Sequence, residues 1–295
     1  MRISINMPLK DLAGVPLDSK GIMRRARMVE NAGLDGIWMG DGISPNMTRP
    51  DALMWLLVAA AGTDRIEVGT SILQIPLRNP VELGQRLLTL QALTRGRFTV
   101  GIGAGSTKSN HDSVGVNFDK RFALLKENMD VIRRLCNGET VGAANLNPWP
   151  DVKGGPRFVV GAWYSGIWLK RAAKDYDGWM SSAGRTNLKT VADAIARYRA
   201  LGGKRAMVST CAVDLTAPTT PLGDEESFHL RCEPDEAARR LRLLADLGYD
   251  DILLVKADHT RRAALYEPDY TEKDLAAIRS LLPKDPRPPY PNWPT

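Results

Sequence analysis

Three glycines alternate in VGIGAGSTKSNH (Val100 to His111), directly behind an apolar run. Glycines in that pattern after a strand let the backbone approach a phosphate or a flat ring. A dinucleotide fingerprint would sit at the first strand of its unit, open a helix at once and carry an acid about 20 positions on. Here Gly105 runs into a polar stretch, and the position 20 after Gly101 is Arg121. Two readings remain. Gly103 and Gly105 keep side chains off a ring or substrate, or they only turn the chain at the strand end. His111 closes the stretch, and an imidazole at the mouth of a site can move a proton or bind a ring. No His-x-His or Glu-x-x-His spacing accompanies His111 or His259, so no metal site is expected there. A nucleophile elbow and a P-loop are absent as well.

Four other stretches carry polar groups behind apolar runs. WMGDG offers Asp41, either an acid, base or hydrogen-bond acceptor, or a turn residue beside Gly42. VGTSILQIP offers the hydroxyls of Thr70 and Ser71, or simply a strand end with small polar residues. GAWYSG supplies Gly161, Ser165 and Gly166, and SSAGRTN supplies Ser181, Ser182 and Gly184 beside Arg185. Hydroxyls and free N–H groups at a helix start bind phosphate, and an arginine adds a charge-assisted contact. Ordinary helix capping uses the same residues.

The elements that must position these groups alternate along the chain. β-branched runs at 2–6, 35–40, 65–71, 97–103, 157–162, 177–182, 206–213 and 251–257 read as strands. Amphipathic stretches at 18–32, 50–62, 80–94, 119–137, 165–176, 187–201, 233–247 and 271–282 read as helices. Eight strand–helix units imply a parallel sheet with helices outside it. In this length they suit a closed (β/α)₈ barrel, an α/β fold, better than an open sheet. Barrel chemistry sits on the loops after the strands, and all three histidines (His111, His229, His259) fall on such loops. Residues 1–282 read as one barrel domain; the proline-rich 283–295 reads as an extended tail or as disordered.

Composition narrows the function classes. The net charge of +6 comes from basic residues spread along the chain, which argues against a nucleic-acid surface and fits an anionic ligand equally well. Three scattered cysteines form no Cys-x-x-Cys, which points to a reducing, cytoplasmic setting. MRISINMPLKDL lacks the apolar core of a secretory signal, and ALMWLLVAAAG is too short to span a bilayer, so no membrane partner is expected.

VENAGLDGIWMGD, DRIEVGTSILQIPLRNPVELGQRLLTLQALTRGRFTVGIGAGS, SVGVNFDKRFALLKENMDVIRRL and RAAKDYDGWMSS together resemble the bacterial-luciferase-like family of flavin- and deazaflavin-dependent oxidoreductases. The resemblance covers residues 1–185 and implies a TIM-like barrel with an FMN or deazaflavin (F420) ring at the strands' C-terminal ends. It implies a cis peptide under the ring at Ser71–Ile72. It also implies a phosphate site at Ser165, Gly166, Ser181 and Ser182. The chain departs from the family where Asp41-Gly42 replaces an Asp-His or Glu-His pair, and where Asn110-His111 lacks a carboxylate. Asp41 leans towards F420; the missing carboxylate argues against sugar-phosphate oxidation. The expectation is hydride transfer between F420 or FMN and a small organic substrate, with monooxygenation if the cofactor is reduced FMN. Asp41 and His111 are the catalytic candidates. Asp41, Thr70, Ser71, Ile72, Gly103, Gly105, Gly161, Ser165, Gly166, Ser181, Ser182 and Arg185 are the cofactor candidates. The resemblance further implies a homodimer. A non-catalytic flavin- or ligand-binding barrel is the alternative.

Overall fold

The computed structural model describes residues 1–7, 18–43, 50–164, 166–223, 225–257 and 270–282. Strands β1 (Arg2–Met7), β2 (Gly36–Met39), β3 (Glu67–Gln74), β4 (Phe98–Gly103), β5 (Arg157–Gly161), β6 (Gly178–Ser182) and β7 (Arg205–Asp214) pair in parallel, each with the next. A two-residue strand, β8 (Leu230–Arg231), adds to the end of β7, and β9 (Asp251–Lys256) joins β7 to β1. β1 to β7 and β9 thus close an eight-stranded parallel barrel, as the alternating pattern predicts. The outer layer is α1 (Ser19–Asn31), α2 (Ala52–Ala61) and α3 (Pro80–Leu93), then α5 (Arg121–Cys136), α6 (Ile167–Asp175) and α7 (Leu188–Ala200), then α8 (Pro234–Leu247) and α9 (Glu272–Ser280). α4 (Lys108–Asp112) is a short helix within the stretch expected to be an irregular polar loop.

Local chemistry explains the helix starts. Asp18, Asp51, Asn79 and Asn187 each accept backbone N–H groups of the first turn, and Thr271 with Asp274 forms a capping box. The apolar α2 buries Leu53, Trp55, Leu56, Ala59 and Ala60 rather than meeting lipid. No described helix is long and apolar enough to cross a membrane. All three cysteines are free and buried, and burial pushes the Cys136 thiol up to about 11.

The barrel interior is layered. Trp38, Val159, Met180, Met207 and Leu253 fill its middle, and Ile72 packs on them from the C-terminal side. The other end is ionic, built from residues at strand starts. Arg205 is forked to Glu67 (2.8 and 2.7 Å) and to Asp251 (2.9 and 2.9 Å). Arg2 reaches Asp251 at 2.8 Å, and Thr99 donates to Glu67 at 2.5 Å. Burial alone would raise the Glu67 carboxyl, but the charge and hydrogen bonds of Arg205, with Arg2 and Arg157, hold it down at about 2.

Two irregularities re-aim the opposite end. The β3–β4 register shifts between Thr70 and Leu73, and β3 continues to Gln74, three residues past its expected end. The β7–β9 register shifts between Val208 and Cys211. Bulges of this kind redirect side chains at barrel rims.

Candidate functional site at the C-terminal mouth of the barrel

The β3 bulge decides what the glycines do. The Ser71–Ile72 peptide bond is cis, at the position the resemblance implies. A Cβ on Gly103 would lie 2.1 Å from Ile72 Cδ1, and one on Gly161 would lie 2.6 Å from Ile72 Cγ2. Both are far inside van der Waals contact, so these two glycines clear a seat for the Ile72 side chain. The Thr70 hydroxyl is buried and donates to Gly101 O at 2.8 Å, while Ser71 donates to Asn6 Oδ1 at 3.0 Å.

Beside Ile72 opens a cavity of about 310 Å³ at the ends of β3, β5, β6 and β7. One wall is apolar: Ile72, Gly161, Ala162, Trp163, Tyr164 and Met180. The other carries Ser71, Ser181, Ser182, Thr186, Ser209 and Thr210, together with Arg185. Arg185 is the only charged side chain among the described lining residues.

The hydroxyls form a directed chain. Ser209 donates to Ser181 O at 2.8 Å, which commits its single proton. The Ser182 and Thr210 oxygens are 2.9 Å apart, and those of Ser209 and Thr210 are 3.3 Å apart. Because the Ser209 proton is committed, Thr210 is the donor across the longer contact and Ser182 the donor across the shorter one, so the chain runs from Ser182 at the cavity to Ser181 O. Thr186 donates to Ser182 O at 2.8 Å and fixes the turn after β6. Thr210 holds φ at +55°, which is rare for a β-branched residue and is imposed by the β7 bulge. Behind Ser181, burial pushes the Tyr249 phenol up.

The cavity therefore brings together Ser71, Ile72, Gly161, Ser181, Ser182 and Arg185 from the expected set. Gly103 lies beneath Ile72. Ser165 and His259 lie outside the described residues, as does the tail 283–295. Gly166 has φ +90° at the start of α6 and faces open space. Thr70, Gly105, Asp41 and His111 do not line the described cavity.

Asp41 is engaged elsewhere. Its almost fully buried carboxylate takes a bidentate pair from Arg78 (2.7 and 2.8 Å) and the Gln74 backbone N–H at 2.9 Å. That partner raises the Arg78 guanidinium, against a burial that would lower it. Gln74 Nε2 donates back to Asp41 O at 2.9 Å, and Asn110 donates to Gln74 Oε1 at 3.3 Å. A Cβ on Gly105 would meet that Gln74 oxygen at 2.2 Å, so Gly105 makes room for this fastening.

His111 is fully buried, its Nδ1 3.1 Å from Thr107 O and its Nε2 3.0 Å from Ala104 O. Phe118 packs against the ring edge-on at 5.1 Å. The imidazole thus braces the turn before α4. His229 does not line the cavity either; it sits between Glu226 (2.9 Å) and Arg240 (3.3 Å), and burial lowers its pKa.

The sequence reading missed Ala162, Trp163, Tyr164, Met180, Thr186, Ser209 and Thr210. Trp163 and Tyr164 were visible as two aromatics behind a predicted strand. Nothing local marks Ser209 or Thr210, because the bulge that turns them inward is a pairing feature between β7 and β9.

Comparison with known proteins extends these observations. The family model described as luciferase-like monooxygenase matches residues 9–226. The F420-dependent glucose-6-phosphate dehydrogenase of Kineococcus radiotolerans is 40% identical over 124 residues, 39% of this chain; the match spans 36% of that protein's length. An F420-dependent secondary alcohol dehydrogenase, solved with an F420–acetone adduct, superposes with a TM-score of 0.72 at 14% identity, over 95% of this chain and 98% of its own. The oxygenating constituent of 3,6-diketocamphane monooxygenase from Pseudomonas putida, a type II Baeyer–Villiger monooxygenase solved with FMN, gives 0.73 at 14% identity, over 95% and 96%. At such identities the structural likeness is one of fold.

Proposed function

The chain belongs to the luciferase-like monooxygenase family, and from that premise we propose that it is an oxidoreductase holding a flavin-type cofactor, F420 or FMN, in the cavity beside Ile72. One observation carries the proposal: an apolar floor and a hydroxyl–guanidinium wall meet in a single cavity at the strands' C-terminal ends. That donor set fits the group. Ser182 and Arg185, with Thr186 and Thr210 behind them, suit a phosphate. Ile72 and Met180 suit the face of a ring and keep water from it. When bound, such a ring accepts or gives a hydride, and reduced FMN also reacts with oxygen. The protein's own part is to orient the ring on Ile72, anchor the phosphate end at the β6 turn and leave the Trp163 side open to a small organic substrate.

Asp41 carries no preference between the two cofactors, because its carboxylate is tied to Arg78 and does not line the described cavity. The same placement, together with the two carbonyl contacts of His111, favours a second reading: a barrel that binds a flavin-type ligand without turning it over.

Titration of the chain with F420 and with FMN, each followed by ring fluorescence, tests the proposal. One of them is expected to bind, and Arg185→Ala is expected to weaken it about tenfold through loss of a charge-assisted contact. Binding of neither would overturn the cofactor assignment. Turnover by the loaded chain then separates the enzyme from the non-catalytic barrel.

A further inference from the structure

Nine large apolar side chains stand out at the surface of the described residues, and three of them fall within five positions: Trp163 (57% exposed), Tyr164 (38%) and Ile167 (62%). All three follow β5, and Trp163 and Tyr164 are themselves walls of the cavity. The aromatic rim is therefore continuous with the Ile72–Met180 floor. The Arg185 guanidinium lies 5.8 Å from the centroid of the Trp163 ring, at the border between the two walls. Three residues are far too few for a stable protein interface, which needs about 20–30 a side. Trp163 and Tyr164 instead rim the mouth of a cavity of small-ligand size, about 310 Å³, on the side the cofactor proposal leaves open.

From this juxtaposition we infer that the substrate is a neutral molecule with an aromatic or other flat apolar face, packed on Trp163 and Tyr164. The inference rests on the cofactor proposal, which engages Arg185 and the hydroxyls at the phosphate end. No second cation remains among the described lining residues for a sugar phosphate. An exposed tryptophan loses unfavourable contact with water when a flat apolar surface covers it, and ring–ring geometry adds selectivity for aromatic partners. Trp163 is thus the specificity-determining residue, and Tyr164 supports it.

The test uses 2-acetonaphthone as a neutral aromatic probe and glucose 6-phosphate as an anionic one. Each is titrated by calorimetry into the whole chain, alone and with F420 or FMN. 2-Acetonaphthone is expected to bind at least about tenfold more tightly than glucose 6-phosphate. Trp163→Ala is expected to weaken it about tenfold, and Trp163→Phe to restore most of the loss. Tighter binding of glucose 6-phosphate, or an unchanged affinity for 2-acetonaphthone in Trp163→Ala, would overturn the inference. Retained probe binding with no binding of either cofactor would overturn the cofactor proposal and leave the aromatic rim standing.

Discussion

Glu67→Gln is expected to destabilise the barrel by about 3 kcal/mol, because it removes one charge from a fully buried ionic cluster. Arg205 is 1% exposed and would lose one of its two carboxylate partners named above, while the other, Asp251, is already shared with Arg2. The neutral amide keeps the size of the side chain, so the loss reports charge rather than a void. For a chain of this size the melting temperature should fall by roughly 5 °C. A loss below about 1 kcal/mol in chemical denaturation would show that the cluster is not a source of stability. Pairing Glu67→Gln with Arg205→Met should recover part of the loss, because no uncompensated guanidinium then remains. Cofactor binding measured well below the melting point should be unchanged, since the cluster lies at strand starts and the cavity at strand ends.

The same carboxylate sets an acid dependence. Glu67 is held at about 2, against an ordinary value of 4.5. A carboxyl depressed on folding stabilises the native state fully above its unfolded value. That contribution is lost as pH falls from 4.5 towards about 2. The wild-type stability curve should therefore slope downward through that window, and the slope should flatten in Glu67→Gln.

The second large effect concerns Asp41, where two roles lead to opposite results. As the fastener of the β3 end, Asp41→Asn should lower stability by about 2–3 kcal/mol. Among the described residues Arg78 would keep Asp51, at 3.8 Å, as its counter-charge. Loosening Gln74 should also disturb Ile72 two residues before it, and cofactor affinity should drop by about tenfold. Arg78→Gln removes the same pair from the other side and should reproduce both effects, and the double variant should cost much less than the two singles summed. As an acid or base, Asp41 would behave differently. Its replacement would remove a limb of the pH–rate profile at unchanged melting temperature, and Arg78→Gln would not mimic it. A kinetic loss in Asp41→Asn without any loss of stability would sink the positioning role.

The barrel was legible from the sequence because each unit carries its own signal. Runs such as RISIN and DILLVKA alternate with helices whose caps, Asp18, Asp51, Asn79 and Thr271, stand where the periodicity begins. The position of the cavity followed from topology, since barrel chemistry sits on the loops after the strands. Ser71, Ser181, Ser182 and Arg185 were within reach on that basis alone. What the sequence left open the structure specifies: Gly103 makes room for Ile72, Gly105 turns the chain at φ +80° beside Gln74 and His111, and the His111 ring meets carbonyl oxygens.

What the sequence determined by itself, then, is the set of elements and their order. Helix and strand formation depend on neighbours within a few residues, and eight such units close in one way. Tertiary structure alone decided which side chains face the cavity. The register shifts at Thr70–Leu73 and Val208–Cys211 depend on how one strand pairs with another. They seat Ile72 over two glycines, turn Thr210 inward and leave Asp41 to Arg78. A single-residue slip in pairing redirects every side chain beyond it.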